Sequence, residues 1–329
     1  MSYTAVRVDK VGDALTTELT QLDDREPQAG EVVVDVEYSN VNYKDGLAID
    51  GKFGFIQRFP RTAGIDLAGV VSASADPAIA VGTRVSVNGW GLSITHDGGF
   101  AQRAHVPAEW ITILPDGLDT ATAAALGTAG LAAAMSVNAL AEHDVTPDSG
   151  PVLVTGATGG AGSIAVLLLA HRGYRVAAST GKPAEADYLR RLGATDIIDR
   201  AELSEPLTGL LKGERWAGAV DAVGSHTLAN VLAQIQYGGT VAAFGLAQGI
   251  DLPVALTPFI TRGVTLAGID TVWARPAVRE AAWALLDEAV DRALLAELTR
   301  TIGLAEAAEA SLALLSGAHR GRLVVDVNA

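Results

Sequence analysis

At 329 residues the chain is longer than the roughly 250–300 at which a single hydrophobic core stops growing, so two domains are expected. Apolar residues make up 49% and charged residues 19%, which excludes a disordered or fibrous chain and fits an Ala- and Gly-rich α/β protein. The formal charge of −14 argues against nucleic acid as a partner, and the absence of cysteine rules out disulfides, thiolate nucleophiles and cysteine-ligated zinc.

The opening ten residues alternate like a strand and lack the apolar stretch of a secretion signal, so a cytoplasmic protein is expected. Short β-branched runs at 4–8, 31–37, 67–73 and 83–88, separated by Gly, Pro and Asp, predict a small irregular barrel. The stretch 121–137 is long and apolar, yet it is mostly Ala and is broken by Thr122, Gly127, Thr128, Gly130 and Ser136. Its drive to enter a membrane is weak, and it reads as a buried helix pair.

From 151 onward apolar runs alternate with helical segments. Six strands are expected at 151–155, 174–180, 196–198, 217–223, 240–244 and 264–269, with helices such as 162–172 and 184–192 between them. Consecutive strands joined by right-handed crossover helices make a parallel, doubly wound Rossmann sheet of order 3-2-1-4-5-6. Two more helices are expected, at 276–293 and 304–315. A last strand at 322–327 needs a sheet to join, which returns the chain to its first domain. The expected division is 1–123 plus 270–329, and 124–269.

The first strand of that sheet runs into Gly156-Ala-Thr-Gly-Gly-Ala-Gly162 and an apolar helix. A cofactor pyrophosphate needs close backbone approach and free N–H groups at a helix N-terminus, which such glycines allow. Gly160, Gly162 and Ala165 also satisfy the dinucleotide spacing. About 20 residues further on, where NAD enzymes place an acid for the ribose 2′-hydroxyl, this chain has Ser179-Thr-Gly-Lys182. Two hydroxyls and a cation suit the extra phosphate of NADP, although Lys182 also reads as a surface charge. Arg200, just past the third strand, adds a second charge or a surface for the adenine.

The sequence resembles the medium-chain dehydrogenase/reductase superfamily, in its zinc-free quinone-oxidoreductase branch. The likeness rests on Gly64-Ile-Asp-Leu-Ala-Gly69, Val81-Gly-Thr-Arg-Val85, Gly98-Gly-Phe-Ala-Gln102, Gly127-Thr-Ala-Gly130 and the loop Gly156–Gly162. It implies a chaperonin-10-like β-barrel domain beside the Rossmann domain. Zinc-dependent members carry a histidine and an acid after the first of these glycines, and a cysteine-rich lobe. Here Ile65-Asp66 stands in that place and the lobe is missing, so no metal is expected. Within the branch, Asn42-Tyr-Lys-Asp-Gly46, Asn88-Gly-Trp-Gly91, Trp216–Asp221 and Pro258-Phe-Ile260 look like the NADPH-dependent acryloyl-CoA reductases.

That resemblance implies reduction of acryloyl-CoA to propionyl-CoA, with a quinone or a general enone as the alternative acceptor. A NADP-binding structural or sensor protein is the alternative of another class. It also implies NADP contacts at Tyr43, Thr158, Gly159, Gly160, Ala161, Thr180, Gly181, Lys182, Arg200, Leu246, Ile260 and Thr271. A metal-free site must stabilise a developing enolate with hydrogen-bond donors, which points to Tyr43 and Asn42. Tyr43 reads either as a proton donor or as a ring packed on the cofactor. Thr128, at a helix start, reads as a nicotinamide contact or as a cap.

Asp45 reads as tying down its loop, Asp66 as lying in a Gly-rich turn, and His96 as solvated. Lys52, Arg58 and Arg61 form the expected positive handle for coenzyme A phosphates in an acidic chain. The branch commonly dimerises through its nucleotide sheets, and the alternating run 264–269 is the expected homodimer edge.

Overall fold

A computed structural model describes every residue except 1, 13 and 318. The chain divides into two compact units, Met1–Thr128 with Thr271–Trp273 and Arg292–Ala329, and Ala129–Asp270 with Ala274–Asp291.

The first unit begins with the hairpin β1 (Ser2–Val11) and β2 (Ala14–Asp23), followed by β3 (Glu31–Val41), helix α1 (Tyr43–Ile49), β4 (Arg61–Thr62), β5 (Asp66–Ser74), β6 (Arg84–Asn88), β7 (Arg103–Pro107) and β8 (Thr112–Ile113). Sequence reading missed β2 because its run, Ala-Leu-Thr-Thr-Glu-Leu-Thr-Gln-Leu-Asp, has no apolar face. Its continuous antiparallel pairing with β1 makes it a strand. β3 is the opposite case: Val32, Val33, Val34 and Val36 are all buried, so the strand is covered on both faces. Val6 and Val8 from β1 share one core with Val34, Leu67, Val85 and Phe100.

Helix α2 (Thr120–Glu142) is long and apolar enough to cross a membrane, but 94% of its apolar window is buried in the protein. It breaks at Gly127, where φ 48° and ψ −152° leave the helical region. A Cβ there would lie 2.5 Å from Asn40 Nδ2 and 2.7 Å from Asp66 Oδ2, so glycine is required by conformation and by space alike.

The second unit is the doubly wound sheet. Its strands are β9 (Val152–Val154), β10 (Val176–Thr180), β11 (Ala194–Asp199), β12 (Trp216–Asp221), β13 (Ile235–Ala243) and β14 (Thr265–Gly268). All pairs are parallel, in the spatial order β11-β10-β9-β12-β13-β14, which is the expected 3-2-1-4-5-6. Helices α3 (Gly160–His171), α4 (Ala186–Arg191), α5 (Ala201–Ser204), α6 (Ser225–Leu232) and α7 (Thr257–Arg262) lie between the strands.

Helix α8 (Pro276–Ala289) also groups with this unit, whereas sequence reading assigned everything beyond 270 to the first domain. It buries Ala282, Trp283, Leu285, Leu286 and Ala289 and packs on α3. The chain then re-enters the first unit through α9 (Arg292–Glu297), β15 (Thr299–Gly303), α10 (Ala307–Leu314) and β16 (Arg322–Asp326). The expected last strand does find a sheet, since β16 pairs antiparallel with β3 and parallel with β15.

Candidate active site

In the second unit, the turn after β9 is held by its own backbone and by its neighbours. Gly159 N–H donates to Gly156 O, Ser163 Oγ donates to Ala157 O at 3.0 Å, and Tyr188 in turn donates to Ser163 Oγ at 2.8 Å. A Cβ on Gly162 would stand 2.3 Å from the Gly156 carbonyl, so the helix can start this close to the turn only with glycine. Gly159, Gly160 and Ala161 lead directly into α3, whose first N–H groups have no partner inside the helix and favour an anion.

The ends of β9 and β12 are latched together. Thr155 Oγ1 donates to the buried Asp221 at 2.7 Å, and Gly224 N–H donates to the same carboxylate at 2.8 Å. Burial pushes the Asp221 carboxyl up, against these hydrogen bonds.

At the ends of β10 and β11 the expected nucleotide residues meet. The hydroxyls of Thr158 and Thr180 lie 3.3 Å apart, Lys182 N–H donates to Thr180 Oγ1 at 3.0 Å, and Arg200 N–H donates to Thr180 O at 3.0 Å. Gly181 lies under the Arg200 side chain. The nearest acid in sequence, Glu185, ends the short turn Pro183–Glu185, and Asp187 follows on α4, bonded to Arg190 at 2.9 Å. The hydroxyls of Thr158 and Thr180 with the cations Lys182 and Arg200 fit a phosphate monoester, with Asp199 paired beside Thr180 on β11, and the glycine turn fits a diphosphate. Leu246, past β13, packs beside Gly224. Ile260 on α7 is 77% exposed and joins no other predicted contact, and Thr271 belongs to the first unit, against Gly89.

The first unit contains a buried polar cluster that sequence reading saw only in part. Asp45 ties its loop as expected, accepting from Asn42 N–H and Ile65 N–H at 2.8 Å each. Asp66 is the first residue of β5 and not part of a turn, because the positive φ at Gly64 completes the turn before it. Its carboxylate accepts from Thr128 N–H at 2.8 Å, from Thr128 Oγ1 at 2.5 Å and from Asn42 Nδ2 at 3.0 Å. Thr128 therefore does not cap a helix; Asp66 caps the helix that starts at Thr128.

Asn42 also donates to Asn40 Oδ1 at 2.8 Å, so both N–H bonds of its amide are used within the cluster. Arg322 completes the group. It donates to Ala125 O at 2.7 Å and to Asn40 Oδ1 at 2.6 Å. Its burial pulls the guanidinium down to about 10, against the charges of Asp66 and Asp45. Asn40 and Arg322 carried one sequence signal, a polar residue at each end of otherwise apolar strand runs.

Tyr43 opens α1 half-buried, and its hydroxyl has no hydrogen bond among the described residues. His96 is exposed, as expected, with its ring edge-on to Trp110 at 4.5 Å; its partial burial and Arg61 lower its pKa. The expected coenzyme A handle is partly paired in place, while Arg58 stays exposed. Lys52 pairs with Asp50 at 3.1 Å, and Arg61 shares Asp97 with Arg7. Among the described residues no three His, Asp or Glu side chains gather where a zinc could sit, the chain has no cysteine, and the Asp66 carboxylate is taken up by N–H and O–H donors.

Residues 160–288 match the family model described as zinc-binding dehydrogenase, and residues 28–116 match the alcohol dehydrogenase GroES-like domain. The chain is 46% identical to the acrylyl-CoA reductase AcuI of Ruegeria pomeroyi, over 99% of this chain and all of that protein. It is similar to the crystal structure of Escherichia coli K-12 YhdH with bound NADPH, with a TM-score of 0.95 and 41% identity over 98% of this chain and 100% of that one. Bacillus subtilis YhfP, named provisionally as a quinone oxidoreductase, is 40% identical over 98% of each chain. Its structure, with NAD bound, superposes with a TM-score of 0.95 and 39% identity, covering 99% of this chain and 100% of that one.

Proposed function

The chain belongs to the medium-chain dehydrogenase/reductase superfamily, and from that premise we propose that it uses NADPH to reduce the C=C bond of an α,β-unsaturated acyl thioester, foremost acryloyl-CoA to propionyl-CoA. The observation that carries the cofactor choice is the group Thr180, Lys182 and Arg200, with no acid at the end of β10. Full-length similarity to AcuI supports the acceptor.

When bound, NADPH would supply a hydride for the β-carbon. Negative charge then develops on the thioester oxygen, and the α-carbon takes a proton. In this chain the glycine turn and α3 would hold the diphosphate, and Thr180, Lys182 and Arg200 would hold the 2′-phosphate. With both amide N–H bonds of Asn42 committed to Asn40 and Asp66, Asn42 fixes the loop that carries Tyr43. Tyr43, with an unbonded hydroxyl, is the donor we assign to the enolate or the α-carbon, and Thr128 and Thr271 are cofactor contacts of the first unit.

A second reading has one observation in its favour. Lys52 is paired to Asp50 and Arg61 shares Asp97 with Arg7, so of the expected handle only Arg58 is left without an ion pair among the described residues, and a weaker handle suits a small uncharged enone or quinone. Turnover of acryloyl-CoA, crotonyl-CoA, benzoquinone and a small enone with NADPH separates the readings. Preference for acryloyl-CoA supports the first, and preference for an uncharged acceptor replaces it. Tight NADPH binding without any turnover points to a sensor or structural protein.

The enzyme we propose is a cytoplasmic homodimer. β14 ends the nucleotide sheet with an unpaired edge, and Ile250, Leu256 and Ile260 of the same unit are more than 70% exposed. Light scattering at micromolar concentration tests this, and a monomer rejects it.

A further inference from the structure

The Thr128 hydroxyl has one proton, and that proton is already placed. It points to Asp66 Oδ1 at 2.5 Å, while Asp66 Oδ2 takes the Thr128 N–H at 2.8 Å and the Asn42 amide at 3.0 Å. Asp66 is fully buried, and with its Oδ2 taken by two N–H donors its Oδ1 is left to accept from the Thr128 hydroxyl. The backbone beneath is equally constrained, because a Cβ on Gly127 would meet Asn40 and Asp66 themselves. A hydroxyl whose proton is held on one side offers only lone pairs on the other.

We propose that Asp66 is a positioning residue that sets the polarity of Thr128, turning its hydroxyl into a pure acceptor for an N–H donor, the carboxamide NH2 of the nicotinamide. This rests on the reading of Thr128 as a cofactor contact. Of the two polar groups on the carboxamide, only the NH2 can bond to an acceptor, so the carboxamide is held in one of its two rotamers about its bond to the ring. Asp66 stands where zinc-dependent relatives of the resembled family carry an acid after their histidine. In this chain its carboxylate organises a hydroxyl.

The polarity can be reversed by exchanging one atom. In Asp66→Asn the side-chain NH2 cannot occupy the Oδ2 position, where it would face Thr128 N–H and the Asn42 amide. It must take the Oδ1 position and donate to Thr128 Oγ1, which leaves the Thr128 proton facing outward. The variant therefore presents a donor where the parent presents an acceptor, at nearly unchanged volume.

The experiment compares the dissociation constants of NADPH and of its reduced 3-acetylpyridine analogue, which keeps the carbonyl and lacks the NH2. Calorimetry without any acceptor substrate keeps the outcome independent of which double bond is reduced. The parent protein should prefer NADPH by about three- to tenfold, the worth of one net hydrogen bond. Thr128→Ser should keep that ratio, Thr128→Val should bring it close to one, and Asp66→Asn should bring it to one or invert it.

If Thr128→Val leaves the ratio as in the parent, Thr128 does not touch the carboxamide and the proposal fails with that contact. If Thr128→Val abolishes the ratio while a folded Asp66→Asn keeps it, the contact stands and the polarity assignment is overturned. Neutron diffraction of the deuterated parent needs no variant and covers the case in which Asp66→Asn does not fold. A Thr128 deuteron on the Asp66 side supports the proposal, and one turned away overturns it.

Discussion

Arg322 donates to Asn40 Oδ1 at 2.6 Å, and through that amide and its neighbour Asn42 it is linked to the carboxylate of Asp66 with no direct ion pair between them. A buried guanidinium beside two buried acids is held by hydrogen bonds to neutral groups, and removing it strands the acids. Arg322→Met should therefore cost about 3–5 kcal/mol of stability. Arg322→Lys should recover little of this, because one ammonium cannot reproduce the planar fork that reaches Ala125 O and Asn40 together. Urea midpoints check both variants, and a Met variant as stable as the parent would show that the cluster does not need its cation.

Asp45 gives the same cluster a pH dependence. Burial, with the charge of Asp66, pushes its carboxyl up to about 7 from an ordinary 3.8, while the N–H groups of Asn42 and Ile65 pull it down. The folded state thus binds a proton that the unfolded chain has released, so this contribution to stability is complete below pH 3.8 and is lost as pH rises through 7. The thermal midpoint of the parent minus that of Asp45→Asn should fall between pH 4 and pH 8. A flat difference would mean that Asp45 stays ionised across the range.

Lys182 stands beside Thr180 at the end of β10, where a 2′-phosphate would carry up to two negative charges. A charge-assisted bond there is worth about 1.5–3 kcal/mol, so Lys182→Ala should weaken NADPH roughly ten- to hundredfold and leave NADH nearly unchanged. Calorimetric titration with the two cofactors decides it. Equal losses for both would make Lys182 a general electrostatic contributor and not the discriminator.

The nucleotide unit was largely legible in the sequence because its signals are local. Each buried parallel strand is a continuous apolar run, and the glycine turn, Thr180 and Lys182 sit at fixed distances along it. The polar cluster was not legible. Asp66 bonds Thr128, which lies 62 positions away, and Arg322 reaches Asn40 across 282, so no window of sequence holds both partners. Asp45 was read correctly because its partner Asn42 is three residues off. Helix α8 was placed in the wrong unit for a related reason: its amphipathic face is plain in the sequence, but the identity of the surface it covers is not.

Gly181 separates the contribution of Arg200 from that of Lys182 without substituting either residue. A Cβ at Gly181 would lie 2.3 Å from Arg200 Nε, 2.5 Å from Cδ and 2.6 Å from Cζ, and it would meet no backbone atom closer than these. Only the far end of a flexible, exposed side chain has to move, so Gly181→Ala should fold normally and push the guanidinium off the strand end. If Arg200 bonds the 2′-phosphate, Gly181→Ala should weaken NADPH about as much as Arg200→Ala does, severalfold to about thirtyfold. The two changes remove the same contact, so the double variant should be no weaker than either single one. Lys182→Ala acts through another group, and combined with Gly181→Ala its effect should be nearly additive. Additive losses for Gly181→Ala and Arg200→Ala would instead mean that the methyl group disturbs the Thr180–Lys182 backbone itself, and an unaffected NADPH affinity in both would remove Arg200 from the phosphate site.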